Sequence, residues 1–509
     1  MILSTGNILL VGSIILFAAI AAGKISNRFG TPMLLLFLIV GMLFGTDGLG
    51  IEFNSFATAQ FVGMIALSVI LFSGGMDTDF REIRPVMKEG VVLATVGVLL
   101  TAAITGLFIY YIGGTVGKAV SLPVALLTAA VMSSTDSASV FAILRAKKQG
   151  LKHNLRPLLE LESGSNDPMA YILTILLIQL AGGSGAASSF WAVALTFVKQ
   201  MGLGALAGWL LGLGAIQIIN RLNIGNKSLY SILLLSVVFF ISSFTDLLGG
   251  NGYLAVYIAG IVMGNHKLSY KKSLSTFFDG ITWLVQIVMF LMLGLLVNPR
   301  ELVDIAPLGI IVGIFMIAVA RPAAVHLSLL PLRSPLPRNA RNYIAWVGLR
   351  GAAPILFATY PKLAGLDPNN TIFNLVFFIT IFSLLVQGTT VSSMATTMNV
   401  GDKTPEAGFD IDLPDEVKAA LTEIEITNQQ SIGKALKEIS LPPRTLVMMI
   451  RREGRYIVPN GNTTIQQGDR LLLISEDLGQ QQPTPIKSKG RFVLLESVRN
   501  FIENATIKK

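Results

Sequence analysis

Glu162-Ser163-Gly164-Ser165-Asn166-Asp167-Pro168 lies inside an apolar run from about Leu155 to Leu180. Two carboxylates, an amide and two hydroxyls interrupt that run, with little else charged beside them. In a membrane, ionisable groups are costly and face a partner or a water-filled cavity, so a carboxylate at membrane depth marks a functional site. The reading of this stretch therefore turns on whether the run spans a membrane.

Composition says that it does. The 509 residues are 52% hydrophobic and only 14% charged, against about 25% charged in soluble proteins. Of 39 Lys+Arg, 15 follow residue 400. The first 400 residues are thus a series of long apolar runs that read as transmembrane helices. The net charge of +9 belongs to loops and gives no footprint for nucleic acid. The first run lacks a preceding basic region and a small-residue cleavage site, so it reads as a first helix and not a cleaved signal. The chain has no cysteine, which excludes disulfides and thiolate metal or redox sites. His153, His266 and His326 are scattered at or near loops and suggest no metal site.

Thirteen spans are expected, at about 5–23, 31–46, 57–75, 89–113, 121–144, 157–181, 190–219, 229–248, 252–265, 278–297, 304–330, 341–361 and 370–397. Punctuation at Gly30-Thr31-Pro32, Gly113-Gly114, Asp246 to Gly252 and Pro331 to Pro337 separates them. Loops after the odd-numbered spans 1 to 11 carry eighteen cations, and the other set carries Lys118, Arg300 and Lys362. By the positive-inside rule the cation-rich set is cytoplasmic, the N-terminus lies outside and the tail after span 13 is cytoplasmic.

The pattern changes near Gly401. Residues 401–415 read as a polar linker containing Pro405, Gly408 and Pro414, and 416–480 as a small α+β module. Strands are expected at Leu421 to Thr427, Leu446 to Arg451, Tyr456 to Pro459, Thr463 to Ile465 and Arg470 to Ser475. A hairpin turns at Glu453-Gly454, further turns fall at Asn460-Gly461 and Gly468-Asp469, and a short helix over 431–436 is capped by Ser431. Residues 481–509 form a tail that reads as the start of a truncated further domain.

Depth can be counted from the span ends. Asp167 is ten residues into span 6, about 15 Å at the helical rise, or half of a hydrocarbon core about 30 Å thick. Ser163 (i−4) and Asn166 neighbour it, while Glu162 falls on another face of the helix. Pro168 removes a ladder hydrogen bond beside the acid. Span 5 is interrupted by Ser133-Ser134-Thr135-Asp136-Ser137, and span 12 by Gly348-Leu349-Arg350-Gly351-Ala352-Ala353-Pro354. Asp136 and Arg350 both come out near mid-depth. Spans 5 and 12 run in opposite directions, and paired interrupted helices point to an inverted repeat with a midplane site between the halves. Spans 4–6 and 11–13 are taken as the repeats, with spans 5 and 12 crossing where each is unwound and Asp136 and Arg350 balancing the half-helix ends.

The plainer roles are weighed beside these. Arg350 reads as the structural ion-pair partner of Glu162, since an unpaired cation at that depth is costly. Asp136 is either a helix-end counter-charge or a ligand. Ser133, Ser134 and Ser137 suit hydrogen-bonding between helices. Arg321 and Lys199 read as pairing or snorkelling groups without a transport role. Gly202-Leu203-Gly204 resembles part of a dinucleotide loop but lies within a span with no preceding strand, so helix packing is its reading.

Together, the thirteen spans, Thr135-Asp136 in a broken helix, Glu162-Ser163-x-x-Asn166-Asp167 and Gly348-Leu349-Arg350-Gly351 resemble the monovalent cation/proton antiporters of the sodium/proton exchanger superfamily, the NhaP-like cation:proton antiporter-1 group. The soluble module resembles the TrkA-C (RCK-C) regulatory domain, a combination typical of bacterial potassium/proton antiporters. The Asn166-Asp167 pair is similar to the electroneutral branch. The resemblance implies an all-α polytopic membrane protein of the bacterial inner membrane that works as a homodimer through its non-core spans. It implies that Asp167 binds cation or proton in turn, Asn166 orders the unwound crossing, Ser163 and the Thr135 region supply oxygens to the ion, and Glu162 and Arg350 form a structural pair. Some relatives place a further acid in span 3, where the corresponding polar position here is Ser73. No cofactor is implied, and the chain is expected to be no enzyme. Potassium is the expected cation, with sodium or lithium exchange and a ligand-gated potassium efflux system as alternatives. The module is expected to regulate transport through dimerisation or a small ligand, nothing upstream of it forming a dinucleotide-binding half.

Overall fold

The computed structural model describes residues 8–29, 32–115, 120–182, 190–222, 224–226, 228–403, 421–425, 432–439, 445–452 and 455–475. The chain divides into two compact units, 1–403 and 404–509. In the first, α1 (Ile8–Phe29), α2 (Met33–Phe44) and α3 (Phe56–Asp77) precede α4, a helical run over Phe80–Gly114. Two half-helices follow, α5 (Leu122–Val131) and α6 (Ser137–Ala146), then α7 (Leu155–Ala181). After α8 (Phe190–Arg221), α9 (Ser228–Leu247), α10 (Gly252–Gly264) and α11 (Lys271–Leu295) comes α12 over Pro299–Leu329. A second pair of half-helices, α13 (Arg338–Trp346) and α14 (Ala352–Leu363), leads to α15 over Thr371–Thr397.

Among the described residues, seven helices are long and apolar enough to cross a membrane: α3, α4, α9, α11, α12, α15 and Ala194–Arg221 of α8. The half-helices fall short because each is interrupted where the sequence turns polar or glycine-rich. At the end of α5 the Ser133 hydroxyl donates to the Ala130 carbonyl (2.6 Å), the local competition for backbone that lets serine end a helix. The second interruption spans Val347 to Gly351, and Pro354 sits in the first turn of α14, where the missing N–H costs no hydrogen bond. Three helices carry a π-helical stretch: Leu93–Gly97 in α4, Met316–Ala320 in α12 and Leu384–Gly388 in α15.

Glycines set how closely α3, α8 and α10 approach. A Cβ at Gly204 would lie 2.8 Å from the Asn251 carbonyl oxygen, one at Gly212 3.1 Å from Ala259 Cα, and one at Gly208 would overlap the Ala255 carbonyl. The same holds on the other side of α10, where Gly260 and Gly264 face the Phe72 and Met76 carbonyls of α3. Of Gly202-Leu203-Gly204, Gly204 thus belongs to a helix-packing stripe, as small residues do in membranes, while Gly202 meets open space. Gly401–Lys403, read from sequence as the start of the linker, instead forms strand β2 paired antiparallel with β1 (Gln149–Leu151). The rest of that linker lies outside the described residues.

The second unit contains a four-stranded antiparallel sheet in the order β3-β6-β4-β5, from β3 (Leu421–Glu425), β4 (Thr445–Arg452), β5 (Arg455–Ile457) and β6 (Arg470–Ser475). Val447, Ile450, Ile465, Leu471 and Leu473 form its core. Buried Asp469 accepts from Arg452 Nε and Nη2 (both 2.8 Å) and from the Gln466 N–H (2.8 Å), which closes the turn before β6. Two expectations are corrected. The helix over 431–436 is replaced by a single 3₁₀ turn, Leu436–Glu438, because Ala435 pairs with Thr464 in an isolated bridge. That bridge is also all that forms of the strand expected at Thr463 to Ile465. Ser431, Glu453-Gly454 and the tail 481–509 lie outside the described residues.

Replacing Gly208 by Ala forces the Ala255 carbonyl to move and is expected to cost about 1–3 kcal/mol, the range for overpacking. Thermal unfolding of the purified protein in detergent should show a clear drop in midpoint, whereas Gly202→Ala, which meets open space, should not.

Candidate ion-binding site

The two interruptions meet. The Asp136 N–H donates to the Leu349 carbonyl (2.8 Å), and the Arg350 guanidinium donates to the Ser134 carbonyl. Each break therefore satisfies a backbone group that the other leaves open, as backbone polar groups require where no water reaches them. Asp136 caps the N-terminus of α6 by accepting from the Ser139 N–H (3.2 Å) and hydroxyl. Its negative charge sits at the positive end of α6, and Arg350 sits at the negative end of α5, each where the helix dipole favours it. A Cβ on Gly351 would lie 2.5 Å from Asp136 Oδ2, so the crossing needs a glycine there. The second break is held from α15. Gln387 Nε2 donates to the Trp346 carbonyl (2.6 Å), Ser383 Oγ accepts from the Arg350 N–H (3.1 Å) and donates to Gln387 Oε1 (2.6 Å). The π stretch of α15 carries Gln387, in keeping with the use of such stretches at functional sites.

α7 passes the crossing as one continuous helix through Pro168. Ser163 Oγ donates to the Thr135 carbonyl (2.9 Å) and accepts from the Ser137 N–H (3.1 Å), and Asn166 Nδ2 donates to Thr135 Oγ1 (2.6 Å). Ser163, Asn166, Thr135 and Asp136 are thus brought together with Asp167. Asp167 faces a cavity of about 240 Å³ together with Ser134, Thr135, Asp136, Ser163 and Gly351. Its Oδ1 is buried and has no hydrogen-bond partner among the described residues.

The cavity continues from Asp167 past Asp77 and Tyr257 to Arg145, Arg156 and Glu160. Arg156 and Glu160 form an ion pair (3.0 Å). On the other side of Asp167 the ring of Tyr171, one helical turn on, packs against Tyr253 (centroids 5.0 Å), Tyr360 (5.6 Å) and Phe357 (5.9 Å). Asn251 ties this helix to the neighbouring ones: its Nδ2 donates to the Pro168 carbonyl (3.0 Å) and its N–H to the Gln200 carbonyl (3.0 Å).

The expected pair of Glu162 with Arg350 is corrected. Glu162 Oε1 pairs with Arg321 Nη2 of α12, both residues being buried. Arg350 lies on a non-helical segment, and its side chain is taken by the carbonyl that the broken α5 exposes. Arg321 follows the π stretch of α12 and lies against Gly348, where a Cβ would come within 2.9 Å of its Nε. Several site residues escape a sequence reading. Glu160 is seven residues before Asp167 on the same helix face, a spacing that could have flagged it. In span 3 the reading settled on Ser73, but Asp77 lines the Asp167 cavity, while Ser73 lines the adjoining one, of about 550 Å³. Gln387, Ser383 and Asn251 act across long sequence separations and leave no local signal.

A broken-helix crossing with one unpaired carboxylate beside it is the architecture of a secondary ion transporter. Comparison with known proteins agrees. Residues 13–397 match the family described as sodium/hydrogen exchanger, transmembrane, and residues 421–477 match the TrkA-C domain. The chain is 37% identical over 491 residues to the K(+)/H(+) antiporter NhaP2 of Shewanella sp. (strain MR-4), covering 93% of this chain and 82% of the relative. It is 36% identical to the K(+)/H(+) antiporter NhaP of Alkalimonas amylolytica (92% and 81% covered) and 28% identical to the Na(+)/H(+) antiporter ApNhaP of Aphanothece halophytica (73% and 71%). The solved structure of the sodium proton antiporter MjNhaP1 from Methanocaldococcus jannaschii at pH 8 superposes with a TM-score of 0.66 at 22% identity, covering 77% of this chain and 99% of that one. The chain belongs to the sodium/hydrogen exchanger family: it is a multi-pass membrane cation/proton antiporter and not an enzyme.

Removing one partner of a buried ion pair leaves the other uncompensated and costs about 3–5 kcal/mol. Arg321→Met should therefore destabilise strongly, and Glu162→Gln on top of it should recover part of the loss. In a double-mutant cycle read by thermal unfolding, the Glu162–Arg321 coupling should exceed the Glu162–Arg350 coupling.

Proposed function

We propose that the protein exchanges K⁺ for H⁺ across the bacterial inner membrane, electroneutrally, by alternating access at Asp167. The observation that carries this reading is the buried, unpartnered Asp167 oxygen facing a polar cavity beside the crossing. A bare carboxylate is costly to carry through a low-dielectric barrier. It crosses once neutralised, either by a proton or by one monovalent cation. The two compete for the same oxygens, so each crossing carries one or the other, and exchange is obligatory. One positive charge moves each way, and a complete cycle moves no net charge.

In this reading Asp167 is the exchanging group. The lone pairs that Ser163 Oγ and the Thr135 carbonyl retain beyond their mutual hydrogen bond serve the ion, and Asn166 holds Thr135 in place. Asp136 serves as helix cap and borders the ion. Glu162 with Arg321, and Arg350 with Ser134, hold the scaffold. The thirteen-span topology has its N-terminus outside and its C-terminal module in the cytoplasm. Inverted repeats of spans 4–6 and 11–13 are supported by the π stretches in α4 and α12, the first helix of each repeat. With this topology the cavity opens to the cytoplasm through Arg145, Arg156 and Glu160, and the tyrosine cluster closes the outer side. Potassium is supported by relatives named K(+)/H(+) antiporters at 36–37% identity. Sodium exchange is the second reading, favoured by the relative named a Na(+)/H(+) antiporter at 28%. The domains are the membrane antiporter (1–400), a linker (401–415), the TrkA-C-like regulatory module (416–480) and a tail, in a homodimer.

Asp167→Asn is expected to abolish cation-driven proton flux in everted vesicles while the protein still folds and inserts. Robust proton-coupled transport by that variant would remove Asp167 from its role. In wild-type vesicles an imposed voltage should leave the rate unchanged, and flux with K⁺, Na⁺ and Li⁺ in turn decides the cation. Truncation after Lys403, which keeps the β1–β2 ladder, should leave exchange present with altered activation; complete loss with normal insertion would make the module structural.

A further inference from the structure

α7 has two working faces. Ser163, Gly164 and Asp167 face the ion cavity, while Leu161 and Ser165 line a second and larger cavity of about 1020 Å³. This second cavity is a groove between α4 on one side and α8 and α10 on the other, with walls that include Val91, Ala94, Ala205 and Trp209. Its flanks open outward: Val198 is 64% and Trp209 50% exposed. Because α4 and α8 carry membrane-spanning segments, these apolar flanks lie at membrane depth. The groove is polar at one end. There Arg81 and His266 line it, together with Asn265.

That polar end is built. Asn265 Oδ1 accepts from the Phe80 N–H (2.8 Å), and its Nδ2 donates to the carbonyls of Thr78 and Ile261 (both 2.8 Å). These bonds fix the start of α4 to the end of α10 and hold Arg81 and His266 at one rim. Asp79 accepts from the Arg81 backbone N–H (2.8 Å), and the Arg81 guanidinium makes no ion pair among the described residues. His266 Nδ1 lies 2.7 Å from the Val262 carbonyl and so carries its proton there, which turns Nε2 away. Both groups lie in the loop set that the cation bias assigns to the cytoplasm, the depth of phospholipid headgroups.

We propose that this groove binds one anionic phospholipid, its acyl chain between α4 and α8 and its phosphate at Arg81, beside His266. A cationic rim above an apolar slot of membrane depth complements that chemistry: basic groups at the membrane surface attract anionic lipid. The bound chain lies against Leu161 and Ser165 of the helix that carries Asp167. Tyr257 touches both sites: this buried ring lines both cavities and packs on Gly164, where a Cβ would overlap it. The lipid is therefore placed to bias any movement of α7 against α10. Its effect on transport rests on the Asp167 reading; its binding does not.

The test is thermal unfolding of the purified full-length protein in detergent, titrated with phosphatidylglycerol or with phosphatidylethanolamine of the same acyl composition. Phosphatidylglycerol should raise the midpoint more. Arg81→Ala should weaken its apparent affinity about fivefold, the effect of one basic group at a membrane surface, and Ala205→Trp should abolish the shift by filling the groove. If the tryptophan variant does not yield monodisperse protein, Ala205→Leu replaces it, with weakened binding expected. Equal shifts with both lipids, or unchanged affinity in Arg81→Ala, would overturn the headgroup site. An unchanged shift in the Ala205 variant would overturn the groove, as would a lipid-independent change of oligomeric state, which would mean that a second copy covers this face. Asp167→Asn should keep the full lipid shift, so loss of exchange there and loss of lipid binding in the groove variants are separate results.

Discussion

Two hydrogen bonds carry the membrane unit: the Asp136 N–H to the Leu349 carbonyl, and the Arg350 guanidinium to the Ser134 carbonyl. An interrupted helix at membrane depth exposes backbone groups that lipid cannot satisfy. A single broken helix would carry that cost alone. Two that cross satisfy each other, and the charges that finish the bonding, Asp136 and Arg350, sit at the helix ends whose dipoles favour them. Around this crossing the remaining parts fall into place. α15 supplies Gln387 and Ser383 to the second break, and α7 supplies Ser163 and Asn166 to the first. Since Ser163 and Asn166 are spent on holding the crossing, Asp167 is left with an oxygen that no group among the described residues claims.

The unit also divides into tight and loose contacts. α3, α8 and α10 approach through glycines, backbone to backbone, with no side chain to yield. α7 meets α10 differently, through the Tyr257 ring on Gly164, the Tyr171 ring on Tyr253 and the amide of Asn251 on the Pro168 carbonyl. Interfaces of the first kind resist sliding because packed interiors do not deform continuously. The second kind rests on aromatic rings and a hydrogen bond.

The sequence made some of this legible for identifiable reasons. The two breaks announce themselves as Ser133 to Ser137 and as Gly348 to Pro354, polar or glycine-rich clusters in apolar runs, and counting residues put Asp136, Asp167 and Arg350 near one depth. Depth alone does not choose partners. Depth pairs Glu162 with Arg350, yet it meets Arg321, because its partner depends on the face of α7 it occupies and on the π stretch that precedes Arg321. Asp77 sits at the last residue of α3, where a carboxylate reads as an ordinary loop charge, so sequence points to Ser73 in the span interior instead. In the C-terminal unit, the short helix expected before Leu436 gave way to a bridge with Thr464, a non-local pairing that outweighs local propensity.

β1 and β2 give the chain's exit from the membrane unit a mechanical meaning. Gly401–Lys403 is bonded in register to Gln149–Leu151, with Lys152 N–H also reaching the Val400 carbonyl (2.9 Å). That loop is the joint between α6, which Asp136 caps, and α7, which carries Asp167. A tension applied to the chain beyond Lys403 therefore reaches, through that ladder, the loop between the two elements that build the candidate ion site, as well as the helix α15 that precedes it in sequence.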